Sequence, residues 1–171
     1  HKTNDDFMRN ILIEEAWKEL SSNFPWSETL LEKYQNCIDW NEISSNNNIR
    51  WTIPMIAKFS KRIIWKTFSE NANEEVLTPE VVEAFIDKWD WHELSGNQNL
   101  QLSYQELEKY ADSLDWEEFI STWRYNHFEG CGIDFYEKFR DYIPASKLQG
   151  SILWNEMVEQ QKKSLISDII S

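Results

Sequence analysis

Three groups of side chains in this sequence have the chemical types that catalysis or ligand binding uses. The octet Asp90-Trp91-His92-Glu93-Leu94-Ser95-Gly96-Asn97 gathers an imidazole, two carboxylates, a hydroxyl and an amide. His127 stands near Cys131, the pair from which a thiolate nucleophile and its base are built. Asp134 and Glu137 lie at helical spacing, as two acids sharing a proton would.

Each group has a plainer reading. The octet recurs as Trp17-Lys18-Glu19-Leu20-Ser21-Ser22-Asn23, Trp40-Asn41-Glu42-Ile43-Ser44-Ser45-Asn46 and Trp65-Lys66-Thr67-Phe68-Ser69-Glu70-Asn71. A fifth copy, Trp116-Glu117-Glu118-Phe119-Ile120-Ser121, has lost the Asn. The place of His92 is taken by Lys18, Asn41, Lys66 and Glu117, which marks a solvated face rather than a ligand or base. A Cys–His nucleophile needs a third orienting group and an oxyanion site, and the loop with Gly130 and Gly132 promises neither. Two acids in an acidic chain are weak evidence for proton transfer. The sequence carries no Gly-rich phosphate loop, His-Glu-x-x-His or calcium-loop spacing, so no cofactor or metal is expected and a non-enzymatic protein is the reading preferred. His1, at the start of the chain, is set aside.

The recurrence sets the architecture. Trp17, Trp40, Trp65, Trp91 and Trp116 are separated by 23, 25, 26 and 25 residues. An aromatic stands six residues before each later Trp, at Tyr34, Phe59, Phe85 and Tyr110, with Ile11 before the first and Phe139 before Ala145 after the last. Ser27, Thr52, Thr78 and Ser103 precede apolar pairs at helical spacing and act as N-caps, Ser103 with Glu106 as a capping box. Asp39, Asp90 and Asp115 cap the Trp segments in the same way, with Glu42, Glu93 and Glu118 three residues on. Trp and the residue three later, Leu20, Ile43, Phe68, Leu94 or Phe119, then share one side, and a stub this short needs a long neighbouring helix to pack on. Asn23, Asn46, Asn71 and Asn97 suit a left-handed turn at its end. The expected fold is all-α: a short α-solenoid of about five helix-turn-helix repeats of about 25 residues. Residues 1–16 form an N-terminal partial repeat, 17–144 the repeats and 145–171 a C-terminal cap, within one domain. That cap includes a final helix over 151–170 that closes the open end of the core.

The Trp-x-x-Leu-Ser-x-Asn segment before a Ser/Thr-capped helix resembles tandem helical-repeat proteins of Bacteroidetes and large DNA viruses, over residues 17 to about 142. The third repeat, with Glu70, and the fifth, without its Asn, depart from that pattern. The resemblance implies stacked helices and no settled activity, and it transfers no site residues.

A net charge of −13 argues against affinity for nucleic acid or anionic lipid. Residues 40–64 have a balance of +3, whereas 65–90, 91–115 and 116–144 carry −5, −4 and −3, an acidic stripe beside one basic stretch. No apolar run is long enough to span a membrane. Cys37 and Cys131 lie outside any metal-ligand spacing and read as buried, reduced thiols. The chain starts at His1 without an apolar leader, a start compatible with trimming, and the default expectation is a cytoplasmic protein. The expected function is a protein-binding module, of inhibitor or immunity type, covering a basic protein partner. A DNA mimic that inhibits a nucleic-acid-processing enzyme is the alternative, although Lys58, Lys61 and Arg62 count against it. An enzyme using the 123–132 loop is the third. That loop breaks the pattern, with 23 residues from Trp116 to Phe139 where earlier repeats have 17, 19, 20 and 19. Its Trp123, Arg124, Tyr125, His127 and Phe128 are the residue types that dominate interfaces and are the candidate partner-binding residues.

Overall fold

The structure, a computed structural model, describes residues 2–171, so His1 lies outside the described residues. All thirteen elements among them are helices. In order they are α1 (Lys2–Asn23), α2 (Glu28–Tyr34), α3 (Trp40–Ser45), α4 (Ile53–Lys58), α5 (Trp65–Asn71), α6 (Pro79–Ala84), α7 (Trp91–Ser95), α8 (Tyr104–Lys109), α9 (Trp116–Ile120), α10 (Tyr125–Phe128), α11 (Gly132–Phe139), α12 (Ala145–Leu148) and α13 (Ile152–Ile170). They fall into two compact units that divide between Asp90 and Trp91. None of the described helices is long and apolar enough to cross a membrane.

The hydroxyl caps form where the chemistry of the sequence puts them. Ser27, Thr52, Thr78 and Ser103 each accept the backbone N–H three residues on, and Ser103 with Glu106 completes the capping box. Asp39 caps α3 through Asn41 N–H and Glu42 N–H, and Asp115 caps α9 through Glu118 N–H. The reciprocal half of the Asp boxes is replaced by a contact between repeats. The N–H of Asp39, Ile64, Asp90 and Asp115 is donated, at 2.9 Å each time, to the hydroxyl of Ser21, Ser44, Ser69 and Ser95 respectively. Those serines are almost wholly buried. Ser21 and Ser44 also donate to the carbonyls of Trp17 and Trp40 at 2.6 Å, so each hydroxyl is used in both directions.

The tryptophans form a second brace. In the first unit the rings of Trp17, Trp40 and Trp65 meet those of Tyr34, Phe59 and Phe85 at 5.6, 5.5 and 5.7 Å. In the second, Trp91 and Trp116 meet Tyr110 and Phe139 at 5.4 Å. Each of these five tryptophans therefore packs, with its ring tilted, on the aromatic anchor of the repeat that follows, at separations favourable for aromatic pairs. The indole N–H groups of Trp40, Trp65 and Trp116 are satisfied by the carbonyls five residues earlier, all at 2.9 Å.

Several expectations are corrected. Trp17 does not begin a stub: Ala16 offers no cap, and α1 runs through it for 22 residues. Leu20 is 44 % exposed rather than core, because no described helix precedes α1 to cover it. The first helix of each repeat is itself short: α2, α4, α6 and α8 have only six or seven residues. The chain then continues through hydrogen-bonded turns, such as Arg62 and Ile63 N–H onto Phe59 O. No asparagine adopts a left-handed conformation, since no described non-glycine residue has positive φ. Asn46 sits at φ −74°, ψ 117°, and its amide donates to Ser21 O and Phe24 O at 2.9 Å while its oxygen accepts from Asn48 N–H. It closes a local turn through Asn48 N–H without a left-handed φ, and its amide also ties two repeats together. Neither cysteine is buried: Cys37 is exposed in the turn after α2, Cys131 is partly exposed, and both are free thiols.

After the fifth Trp helix the pattern persists longer than its residues suggest. α12 stands where a sixth Trp helix would, packs on α9 and buries Leu148 at the position of the usual Leu or Phe. Its N-cap is Pro144, which has no N–H to donate, and in α9 the Ser position is Ile120, which has no hydroxyl to receive one. Donor and acceptor disappear together.

Candidate functional site

The loop that breaks the repeat is folded largely inward. Arg124 is 1 % exposed; its guanidinium donates to Asn97 O at 2.7 Å and Leu100 O at 3.1 Å, and reaches Ser95 O as well. In the second repeat the amide of Asn46 takes the Ser carbonyl of the repeat before it. In the fifth repeat Thr122 stands at that place, and Arg124, two residues later, supplies the missing donors. The guanidinium also lies 4.1 Å from the centroid of Phe119. Burial pulls its pKa down to about 9, which leaves it charged at neutral pH.

His127 and Phe128 follow it inside. His127 Nε2 donates to Leu102 O at 2.6 Å, a carbonyl that can only accept, and the ring lies between Tyr104 at 5.3 Å and Phe135 at 5.6 Å. Burial lowers its pKa, the Leu102 carbonyl works the other way, and Arg124 adds to the lowering, so the folded ring is neutral with the proton on Nε2. Phe128 is fully buried and meets Phe135 edge-on at 5.2 Å. Gly130, at φ +72°, supplies the left-handed residue that returns the chain into α11. Of the five candidate partner-binding residues, only Trp123, 39 % exposed, and Tyr125, 65 % exposed, present side chains to solvent. Arg124, His127 and Phe128 are interior, because a buried cation with three carbonyl partners anchors the segment from within.

His92 is not simply solvated. Its Nδ1 lies 2.7 Å from Asp115 Oδ2 and its Nε2 3.8 Å from Glu118 Oε1. The hydrogen bond to Asp115 is the largest influence raising the His92 pKa, and the neighbouring carboxylates add to it. Burial tends to raise the Asp115 carboxyl, but His92 and the α9 amides outweigh it and hold the carboxyl below its usual range. The pair edges an open cleft of about 630 Å³ walled by Trp116, Asp141 and Tyr142. The His–Asp contact spans one repeat, a distance that the sequence of a single copy does not reveal.

A second concavity, of about 580 Å³, runs between α11 and α13. Ile133, Tyr136 and Arg140 line one wall, and Trp154, Met157 and Leu165 the other. The three- and four-residue spacing of these side chains in the sequence carries that signal. No protein-family model, curated protein or solved structure matched this chain.

Proposed function

We propose that this protein is a non-enzymatic protein-binding module, a short α-solenoid of about five repeats that presents an acidic surface to a basic protein. The observation that supports it is the pair of braces, serine to backbone N–H and tryptophan to aromatic, repeated within each unit at the period of the sequence. A scaffold stitched at every repeat holds surface side chains in fixed places, as recognition by an extended surface requires. Part of the positive charge is already used within the chain. Lys58 pairs with Glu32 and Glu28, Lys138 with Glu108, and Lys147 with Glu117. The remaining excess of carboxylates steers a partner of opposite sign.

Trp123 and Tyr125 are the contact residues in this reading, two exposed aromatics on either side of the buried Arg124 anchor. Affinity capture from the native organism followed by mass spectrometry tests the proposal. Basic proteins released by raising salt, and lost with Trp123→Ala or Tyr125→Ala, are expected. Capture of uniformly acidic proteins, or retention insensitive to salt, would overturn it.

A further inference from the structure

The segment that breaks the repeat holds a titratable ring that cannot take a proton where it stands. His127 is 7 % exposed, with Nε2 donating to Leu102 O at 2.6 Å and Nδ1 buried without a hydrogen-bond partner. The neutral ring needs the first contact only. An imidazolium would carry a second N–H with no acceptor to receive it, besides a charge removed from water. Arg124, on the same turn, is already an enclosed guanidinium, and its Nε likewise lacks a partner.

The elements packed around the ring supply no counter-charge. α8 presents Tyr104 at 5.3 Å and α11 presents Phe135 at 5.6 Å. Cys131 and Asp134, at the start of α11, bear on the Tyr104 hydroxyl instead. From α13, Glu156 accepts the N–H of Gly130 at 3.3 Å, and Tyr125 and Glu129 of the segment itself are exposed. Among the charged groups only Arg124 acts on His127, and its charge has the sign of an imidazolium.

Little else holds this turn. Arg124 is fixed by the carbonyls of Ser95, Asn97 and Leu100. Beyond it come the buried Phe128 ring, the His127 contact and two bonds of 3.3 Å, Asn126 Nδ2 to Gln101 Oε1 and Gly130 N–H to Glu156 Oε1. Segments with so few ties open before the body does. We propose that residues 125–130 form a proton-driven latch: when His127 takes up a proton its ring leaves Leu102 O, and the turn swings out between Arg124 and Gly130 and exposes Phe128. Burial lowers the pKa of the enclosed ring, the Leu102 carbonyl opposes this and Arg124 adds to it, so the proton is taken up by the open form, at an ordinary value near 6.5. Acidification below 6.5 therefore opens the latch, and neutral pH holds it shut. Tyr125 moves with the turn, but the latch is a property of the chain alone and does not depend on the proposed partner.

Amide exchange of the intact chain by NMR at about pH 7.5 and about pH 5.5, both above its pI of about 4.6, tests the latch. The N–H groups of His127, Phe128 and Cys131, bonded to Arg124 O and Phe128 O, are the reporters, and Phe119 N–H, bonded to Asp115 O, is the reference in α9. Corrected for intrinsic rates, opening at the reporters should rise about tenfold at the lower pH, the factor for a group near 6.5 that protonates only when open. It should also exceed opening at Phe119 and be insensitive to low urea, as befits a local event that exposes little surface. His127→Gln, whose amide can still donate to Leu102 O but does not titrate, should remove the pH dependence whatever its effect on stability. His92→Gln should leave that dependence in place. Reporters that exchange in step with Phe119, an opening that ignores pH, or a rise that survives His127→Gln would each overturn the inference.

Discussion

Arg124 shows how a single side chain can replace a lost motif. Its three carbonyl partners come from the repeat that precedes it, with no carboxylate among them, and the guanidinium is wholly enclosed. Arg124→Ala therefore removes the guanidinium donors from Ser95 O and Leu100 O, leaves Asn97 O with only the Leu100 N–H, and opens a void beside Phe119, and should cost on the order of 3 kcal/mol in urea denaturation. Asn46 gives a sharper distinction, because two accounts of it predict opposite signs. A left-handed asparagine would tolerate Asn46→Gly, whereas the observed backbone and its ties to Ser21 and Phe24 predict a loss of about 2 kcal/mol in the same measurement.

The two histidines inside the described residues should titrate in opposite directions from 6.5, as followed by ring proton resonances in NMR. For His92 the folded pKa is the higher one. Its contribution to stability is complete below the unfolded value and disappears as pH rises through the folded value. For His127 the folded pKa is the lower one. On acidification below 6.5 the unfolded chain takes up a proton that the folded ring refuses, so stability falls. His92→Gln should remove the first effect, and a His127 resonance moving above 6.5 would contradict the neutral buried ring.

At the scale of elements, what the sequence makes legible is local. The hydroxyl caps involve groups three residues apart, and their chemistry recurs in every copy, so Ser27, Thr52, Thr78 and Ser103 declare themselves. The serine rungs do not, because hydroxyl and N–H lie 18 to 21 residues apart and the donor is backbone, which leaves no side-chain signature at one end. The asparagine misleads only in part: its oxygen closes the local turn through Asn48 N–H without a left-handed φ, while its amide takes carbonyls 25 and 22 residues away. The inward course of 123–128 is hidden because Arg124 takes over from two places further along. The one visible trace of the rungs is negative, Ile120 facing Pro144, where both members are absent. Ser44→Ala and Ser95→Ala should each cost about 1–2 kcal/mol by orphaning a backbone N–H. Ile120→Ser with Pro144→Asp should recover part of the cost of the two single changes, read as a favourable coupling energy in a double-mutant cycle.

At the scale of the whole molecule, charge outweighs any single contact. The chain carries −13, and each compact unit holds an excess of acids. The ion pairs that offset it, Lys58–Glu32, Lys138–Glu108 and Lys147–Glu117, are between exposed side chains, where solvent screening leaves each of them little net effect. Repulsion among thirty carboxylates is spread over many longer distances, and salt screens separations beyond about 10 Å first. Raising ionic strength should therefore weaken repulsion more than it weakens attraction. The melting temperature by calorimetry at pH 7 should climb by about 3 °C between low salt and molar-range sodium chloride. If the partner is basic, as proposed above, its association rate should fall over the same range, because the field that burdens the folded chain would also steer a cationic protein. A melting temperature that drops with salt would mean that the ion pairs, and not the net charge, set the electrostatics of this surface.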